Sequence, residues 1–201
     1  MPWNWEWRTP PYKTTRENCA KRGSVSKQKI QLSAAKEIAE RVIEKLAPLC
    51  DRIEIAGSIR RQKAEVGDIE IVAVPRPIID MFGNPTADHM LDLFNYSAIG
   101  RLEMGGHKYK KIVLTEGPQL DLFIVTPPAQ WGVLFLIRTG PAEYSHTIVT
   151  TKMHGGLLPS HMHVKDGAIW INDLLPLETP EEADVYNLLG IPYVEPEART
   201  A

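Results

Sequence analysis

Residues 57–72, GSIRRQKAEVGDIEIV, constrain this chain more than any other stretch. Residues 52–56 alternate like a short strand, and Gly57-Ser58 follow as a turn. A Gly-Ser turn at a strand end exposes backbone N–H groups and a hydroxyl, which suit an anion such as a phosphate. Arg60 and Arg61 add fixed positive charge, and guanidinium grips phosphate oxygens in pairs. After a polar linker, residues 67–74 alternate as a second strand. Side chains two apart share a strand face, so Asp68 and Glu70 point one way and Ile69 and Ile71 the other. Two carboxylates about 7 Å apart along a strand repel unless a cation lies between them. Hard oxygen ligands select Mg²⁺ or Mn²⁺. Acids on one strand face are most often merely solvated. Here the apolar run Ile71 to Val74 reads as buried on both faces, and the Gly-Ser-Arg-Arg turn precedes it, so a site is the better reading. Phosphate grip and metal grip on neighbouring strands are parts of a phosphoryl or nucleotidyl transfer site.

A third carboxylate joins them. Residues 107–125 read as a hairpin around Glu116-Gly117-Pro118. Within its second strand Asp121 is flanked by Leu120, Leu122, Ile124 and Val125. Aspartate is seldom buried without a partner, and a cation shared with Asp68 and Glu70 would supply one. Lys108 and Lys110 are expected to share one hairpin face, either as ordinary surface lysines or where a backbone phosphate could be met. His154, His161 and His163 have no recognised zinc spacing.

The pattern G-S-x-R-R, a short linker, then G-D-x-[DE] resembles the nucleotidyltransferase motif of the family X DNA polymerases. Trp131-Gly132-Val133-Leu134-Phe135 and Arg138-Thr139-Gly140 resemble the family's G-V-L-x-x-x-T-G segment, which lines the sugar of the incoming nucleotide. The C-terminal residues 178–199 resemble the family's short helix with a proline-rich close. The resemblance spans about residues 33–199. It implies an α+β fold: a nucleotidyltransferase palm with a mixed sheet and helices over residues 33–127, and a small α+β thumb-like domain over 128–201. Residues 1–32 are expected to be an N-terminal extension, partly flexible. The resemblance further implies nucleotidyl transfer from a dNTP to a primer 3′-OH on DNA, with two Mg²⁺ (or Mn²⁺) ions, in the manner of short-gap filling. Asp68, Glu70 and Asp121 would be the catalytic metal ligands. Gly57, Ser58, Arg61, Gly67, Thr139 and Gly140 would bind the nucleotide, and Lys108 and Lys110 the DNA. Glu70 stands where the family usually has Asp, and Ile137-Arg138 where it has Tyr-Phe. Ser145 and Val149 replace an amide and an arginine that probe the base pair. Two alternatives stay open: a palm-type nucleotidyltransferase acting on a protein, tRNA end or small molecule, and an inactive nucleic-acid-binding relic.

Composition adds bounds. With 201 residues, 43% hydrophobic and 24% charged, the chain can bury one good core or two small ones. Its net charge of −2 is uneven: residues 1–63 hold 14 Lys+Arg against 7 Asp+Glu, and the remainder 9 against 18. Bound divalent cations would offset part of the acidic excess. Two cysteines, Cys19 and Cys50, show no pairing pattern and suggest a reducing compartment. No stretch reaches the ~20 apolar residues that span a bilayer, and the N-terminus lacks a signal-peptide core. A cytoplasmic monomer is expected. Trp3, Trp5 and Trp7 alternate ahead of a basic run, which could stack bases or belong to a loose extension. Periodicity predicts a helix from Leu32 with Ser33 as N-cap and Pro48 near its end. It also predicts helices over 86–95 and 142–153, a hairpin over 161–171 turning at Asp166-Gly167, and a last helix capped by Thr179.

Overall fold

The computed structural model describes residues 29–200; the tryptophan-rich segment therefore lies outside the described residues. Strand β1 (Ile30–Gln31) leads directly into helix α1 (Leu32–Leu46). Ala35, Ile38, Ala39, Val42 and Leu46 fall on one helical face, and all five are buried. Ser33 is not the cap. Gln31 holds that position with extended backbone and no side-chain cap bond. The helix entry is fixed instead by the pairing of β1 with β3 (Glu65–Val66) and by Leu32 N–H donating to the Ala64 carbonyl. A 3₁₀ turn containing Pro48 then turns the chain into β2 (Cys50–Ile55).

The one-turn helix α2 (Gly57–Arg60) follows, then β3 and β4 (Asp68–Pro75). The expected helix over 86–95 does not form. Strands β5 (Pro77–Ile79) and β6 (Pro85–His89) make an antiparallel ribbon, leaving only a 3₁₀ turn at Met90–Asp92. The reason lies at the ribbon's tip, where Asp80 Oδ1 accepts from the N–H groups of Phe82 and Asn84 at 2.8 Å each. Such an Asx turn sends the chain straight back. Leu91 is nevertheless fully buried and Phe94 packs on the core.

Strands β7 (Gly100–Gly105), β8 (Tyr109–Leu114) and β9 (Gln119–Ile124) complete a five-stranded sheet of order β2-β4-β9-β8-β7. The sheet is mixed: β4 and β9 run parallel, and the other neighbours are antiparallel. One face carries Ile69, Ile71, Ala73, Ile112, Leu120, Leu122 and Ile124 into a core shared with α1. On the opposite face Val72, Val74 and Phe123 pack on Trp131, Leu134 and Phe135 of α3 (Trp131–Thr139).

Beyond α3 the chain forms α4 (Ala142–Val149), a hairpin of β10 (Met162–Lys165) and β11 (Ala168–Ile171), the short β12 (Leu175–Pro176) and α5 (Glu182–Leu189). The hairpin turns at Asp166 and Gly167, both with positive φ. Helix α4 is shorter than expected and gives way to a separate 3₁₀ turn at Lys152–His154. Thr179 is not the cap of α5. Its carbonyl accepts from Gly132 and its N–H donates to Gln130 Oε1, so it is held extended against the start of α3. Glu181 caps the helix in a reciprocal box with Asp184. A second core gathers Val133, Leu136, Ile148, Leu158, Ile169, Val185 and Tyr186.

A buried ion network joins α2 to α5. Glu182, 4% exposed, accepts from Arg60 Nη2 at 2.8 Å and from the fully buried Arg199 Nη1 at 2.7 Å. Burial alone would raise the proton affinity of Glu182, but hydrogen bonds from Arg199 and Arg60 outweigh it and hold the carboxyl below its usual range. Arg60, read from sequence as a phosphate-side cation, is thus committed to structure, with its guanidinium over the Phe135 ring at 3.9 Å. Glu182→Gln leaves a buried guanidinium without its counter-charge, and about 3–5 kcal/mol of stability should be lost. Urea unfolding of both forms measures this. A folded-state value below the unfolded one gives stability above the carboxylate range that is lost as pH falls through it, so the gap between the two forms should close on acidification.

Candidate active site

Strand pleating produces the site. Ile69 and Ile71 are fully buried, so Asp68 and Glu70 must face the other way. The parallel register of β4 and β9 sets Glu70 beside Asp121, and Asp68 beside Gln119. All three carboxylates are half-buried on the face that also meets α3.

Their surroundings differ. Asp121 is satisfied by protein donors: Tyr109 Oη donates to Oδ1 at 2.7 Å, and Gln119 Nε2 lies 2.8 and 2.9 Å from the two oxygens. Glu70 is pressed against the Gly57 backbone, where a Cβ would sit 1.7 Å from Glu70 Oε2. With φ at +60°, Gly57 is required twice over. Desolvation, then the charges of Asp68 and Asp121, push the Glu70 carboxyl up to about 7, against the pull of Arg138 and Arg61. Three acids share one small region, and the proton affinity of one reports the cost.

Two arginines face these acids. Arg138 stacks over the Phe123 ring at 3.9 Å. Burial lowers its proton affinity, opposed by Glu70, Tyr109 and Asp121. Arg61 is lowered by burial and supported by Glu70; its Nη1 donates to the Thr139 carbonyl. Ser58 Oγ, Arg61 Nε and Arg138 Nε are buried without hydrogen-bond partners. Such donors are costly unless a ligand satisfies them. Thr139 is buried and accepts at Oγ1 from Arg60 Nη1 at 2.6 Å. Gly140 has φ +67° and is followed by a cis bond to Pro141. A side chain on Gly67 would meet open space, leaving its backbone accessible.

The structure thus brings Asp68, Glu70, Asp121, Gly57 and Arg61 to one region and sets Thr139-Gly140 beside Arg61. It does not draw the three carboxylates tightly together. Among the described residues, the three-residue group whose potential ligand atoms all lie within 4.8 Å of one another is His89, Asp92 and His107. Nor do Lys108 and Lys110 share a face. Lys110 is buried on the core side of β8 and bonds Asp92 Oδ1 at 2.8 Å; Lys108 precedes the strand and reaches Asp166 Oδ1 at 3.4 Å. Lys110 is therefore occupied within the protein. Sequence reasoning passed over Tyr109, Gln119 and Arg138 as parts of the site. The signal for Gln119 was available, because it lies two residues from Asp121 on the same strand face. Arg138 drew notice as part of the Arg138-Thr139-Gly140 run and as a departure from the family's Tyr-Phe, not as a cation facing the acids.

The donor set is carboxylate oxygen throughout, with a protonation cost at Glu70 that a cation would relieve. These residues fit Mg²⁺ or Mn²⁺. Among the described residues no helix is long and apolar enough to cross a membrane.

No family model matches the chain. Over 172 residues it is 28% identical to DNA polymerase lambda of Rattus norvegicus, a match that covers 71% of this chain and 28% of that protein. The chain therefore spans little more than a quarter of the length of the curated relative it matches, and the similarity supports a distant family X relationship.

Proposed function

We propose that this protein transfers a nucleotidyl group from a dNTP to the 3′-OH of a DNA primer, acting on primer-template or gapped DNA. The observation that carries the reading is the register that sets Glu70 beside Asp121, with Asp68 one pleat away and the Gly57-Ser58 turn against Glu70. The distant similarity to a DNA polymerase supports it. On this reading residues 33–127 act as a palm and 128–201 as a thumb.

Asp68, Glu70 and Asp121 would hold two divalent cations, which when bound stabilise the attacking and leaving oxygens of an in-line displacement. The chain's own groups do the rest. Ser58 Oγ, the Gly57 and Gly67 N–H groups and Arg61 bind the β- and γ-phosphates and offset the charge of departing pyrophosphate. Thr139-Gly140 border the sugar. Tyr109 and Gln119 hold the Asp121 carboxylate in one orientation, as groups that support a metal ligand do. Arg138 balances the acids until substrate arrives.

A second reading, an inactive relic that only binds nucleic acid, is favoured by one feature: Asp121 already spends its oxygens on Tyr109 and Gln119. Incubating the protein with a one-nucleotide-gapped primer, dNTPs and Mg²⁺ or Mn²⁺ separates the two. Metal-dependent extension is expected, with Asp121→Asn slower by at least about a hundredfold. Absence of extension by wild type, or equal extension by the variant, rejects the polymerase.

The Glu70 environment gives a separate expectation for the metal-free protein. Its folded-state proton affinity lies above the ordinary value of 4.5, at about 7. Stability is therefore fully present below the unfolded value and declines as pH rises through this window. In EDTA, the thermal midpoint of wild type should fall relative to that of Glu70→Gln between these two pH values. Parallel pH curves for the two proteins would refute the crowding of charge at this position.

A further inference from the structure

A second cluster lies apart from the carboxylates. His89 ends β6, Asp92 closes the 3₁₀ turn after it, and His107 sits in the turn between β7 and β8. Asp92 Oδ2 lies 3.0 Å from His107 Nδ1 and 3.4 Å from His89 Nδ1. Ligand atoms about 2.0–2.1 Å from a tetrahedral Zn²⁺ lie roughly 3.3 Å from one another. These two separations bracket that spacing.

The supporting groups are those a metal site needs. His89 Nε2 lies 3.0 Å from the His107 carbonyl oxygen. A carbonyl only accepts, so Nε2 carries the proton, and in the neutral ring Nδ1 presents its lone pair. That Nδ1 is buried, on a residue 2% exposed, and makes no hydrogen bond. Asp92 Oδ1 accepts from the buried Lys110 ammonium at 2.8 Å, which fixes the carboxylate and leaves Oδ2 to face the imidazoles. The two rings stack at 4.3 Å with an interplanar angle of 25°. To share an ion, the His107 ring must tilt. It is 41% exposed and follows Gly105-Gly106, so the motion is open to it.

We propose that His89 Nδ1, Asp92 Oδ2 and His107 Nδ1 form a site for a single Zn²⁺ ion, with water in the fourth position. Binding requires the other tautomer of His107: the proton by which Nδ1 bonds Asp92 leaves and Nε2 takes one up from solvent, so the ring stays neutral. The ion clamps the turn after β7 onto the end of the β5–β6 ribbon, just before Tyr109, which holds Asp121. The site is independent of the polymerase reading, since it uses none of the three carboxylates.

The test equilibrates the full chain with Zn²⁺ in excess Mg²⁺, removes unbound metal, and measures retained zinc by mass spectrometry. Wild type and Asp121→Asn should each retain about one ion per chain, whereas His107→Ala and His89→Ala should bind at least about tenfold more weakly. Co²⁺ in place of Zn²⁺ should give the intense visible absorption of a tetrahedral nitrogen-oxygen site in wild type and lose it in His107→Ala. Zn²⁺ should raise the thermal midpoints of wild type and Asp121→Asn, and not that of His107→Ala. His107→Ala truncates a half-exposed turn residue, so its folding is not at stake. The proposal fails if wild type retains no more zinc than His107→Ala, or if zinc follows Asp121 instead.

Discussion

The parallel pairing of β4 with β9 is the contact on which the molecule turns. Ile69 and Ile71 on one strand, with Leu120 and Leu122 on the other, are fully buried in the core beneath α1. A slip of one residue would carry these side chains into the acidic face and the acids into the core, which hydrocarbon burial forbids. The same hydrophobic term that stabilises the sheet therefore sets Glu70 beside Asp121.

Gathering like charges has a cost, and the chain meets it with paired and unpaired donors. Arg138 and Arg61 offset part of the repulsion, Tyr109 and Gln119 satisfy Asp121, and Glu70 is left with a raised proton affinity. Ser58 Oγ and the two arginine Nε atoms remain without partners. Groups that a folded protein would ordinarily satisfy cluster here, as they do where a ligand completes the network. Away from the site, the Arg60–Glu182–Arg199 network is fully paired.

Much of this was legible from residue order. Alternation located β4 and the β8–β9 hairpin, helical spacing gave α1, and Asp166-Gly167 gave the β10–β11 turn. Strand β7 was not legible because Arg101, Leu102 and Glu103 are all exposed at the sheet edge, so no alternation marks them. Met90, Leu91 and Phe94 imitate a helical stripe, yet the Asx turn at Asp80 fixes the preceding residues as a ribbon. Ser33 and Thr179 have capping chemistry, but strand pairing at one and contacts to α3 at the other take precedence. The commitment of Arg60 to Glu182 joins residues far apart in the chain, and no local pattern announces it. The same is true of His89, Asp92 and His107, which only the fold brings together.

The fit of Glu70 against Gly57 carries a consequence for how such a chain can vary. The longer acid fills the space that the missing side chain leaves, so the two positions behave as one steric unit. A shorter acid at 70 would open a gap beside the turn, and any larger residue at 57 would demand that the acid withdraw. The limit falls on one side: the positive φ keeps glycine at 57 whatever stands at 70, while the residue at 70 can shorten but cannot gain bulk toward the turn.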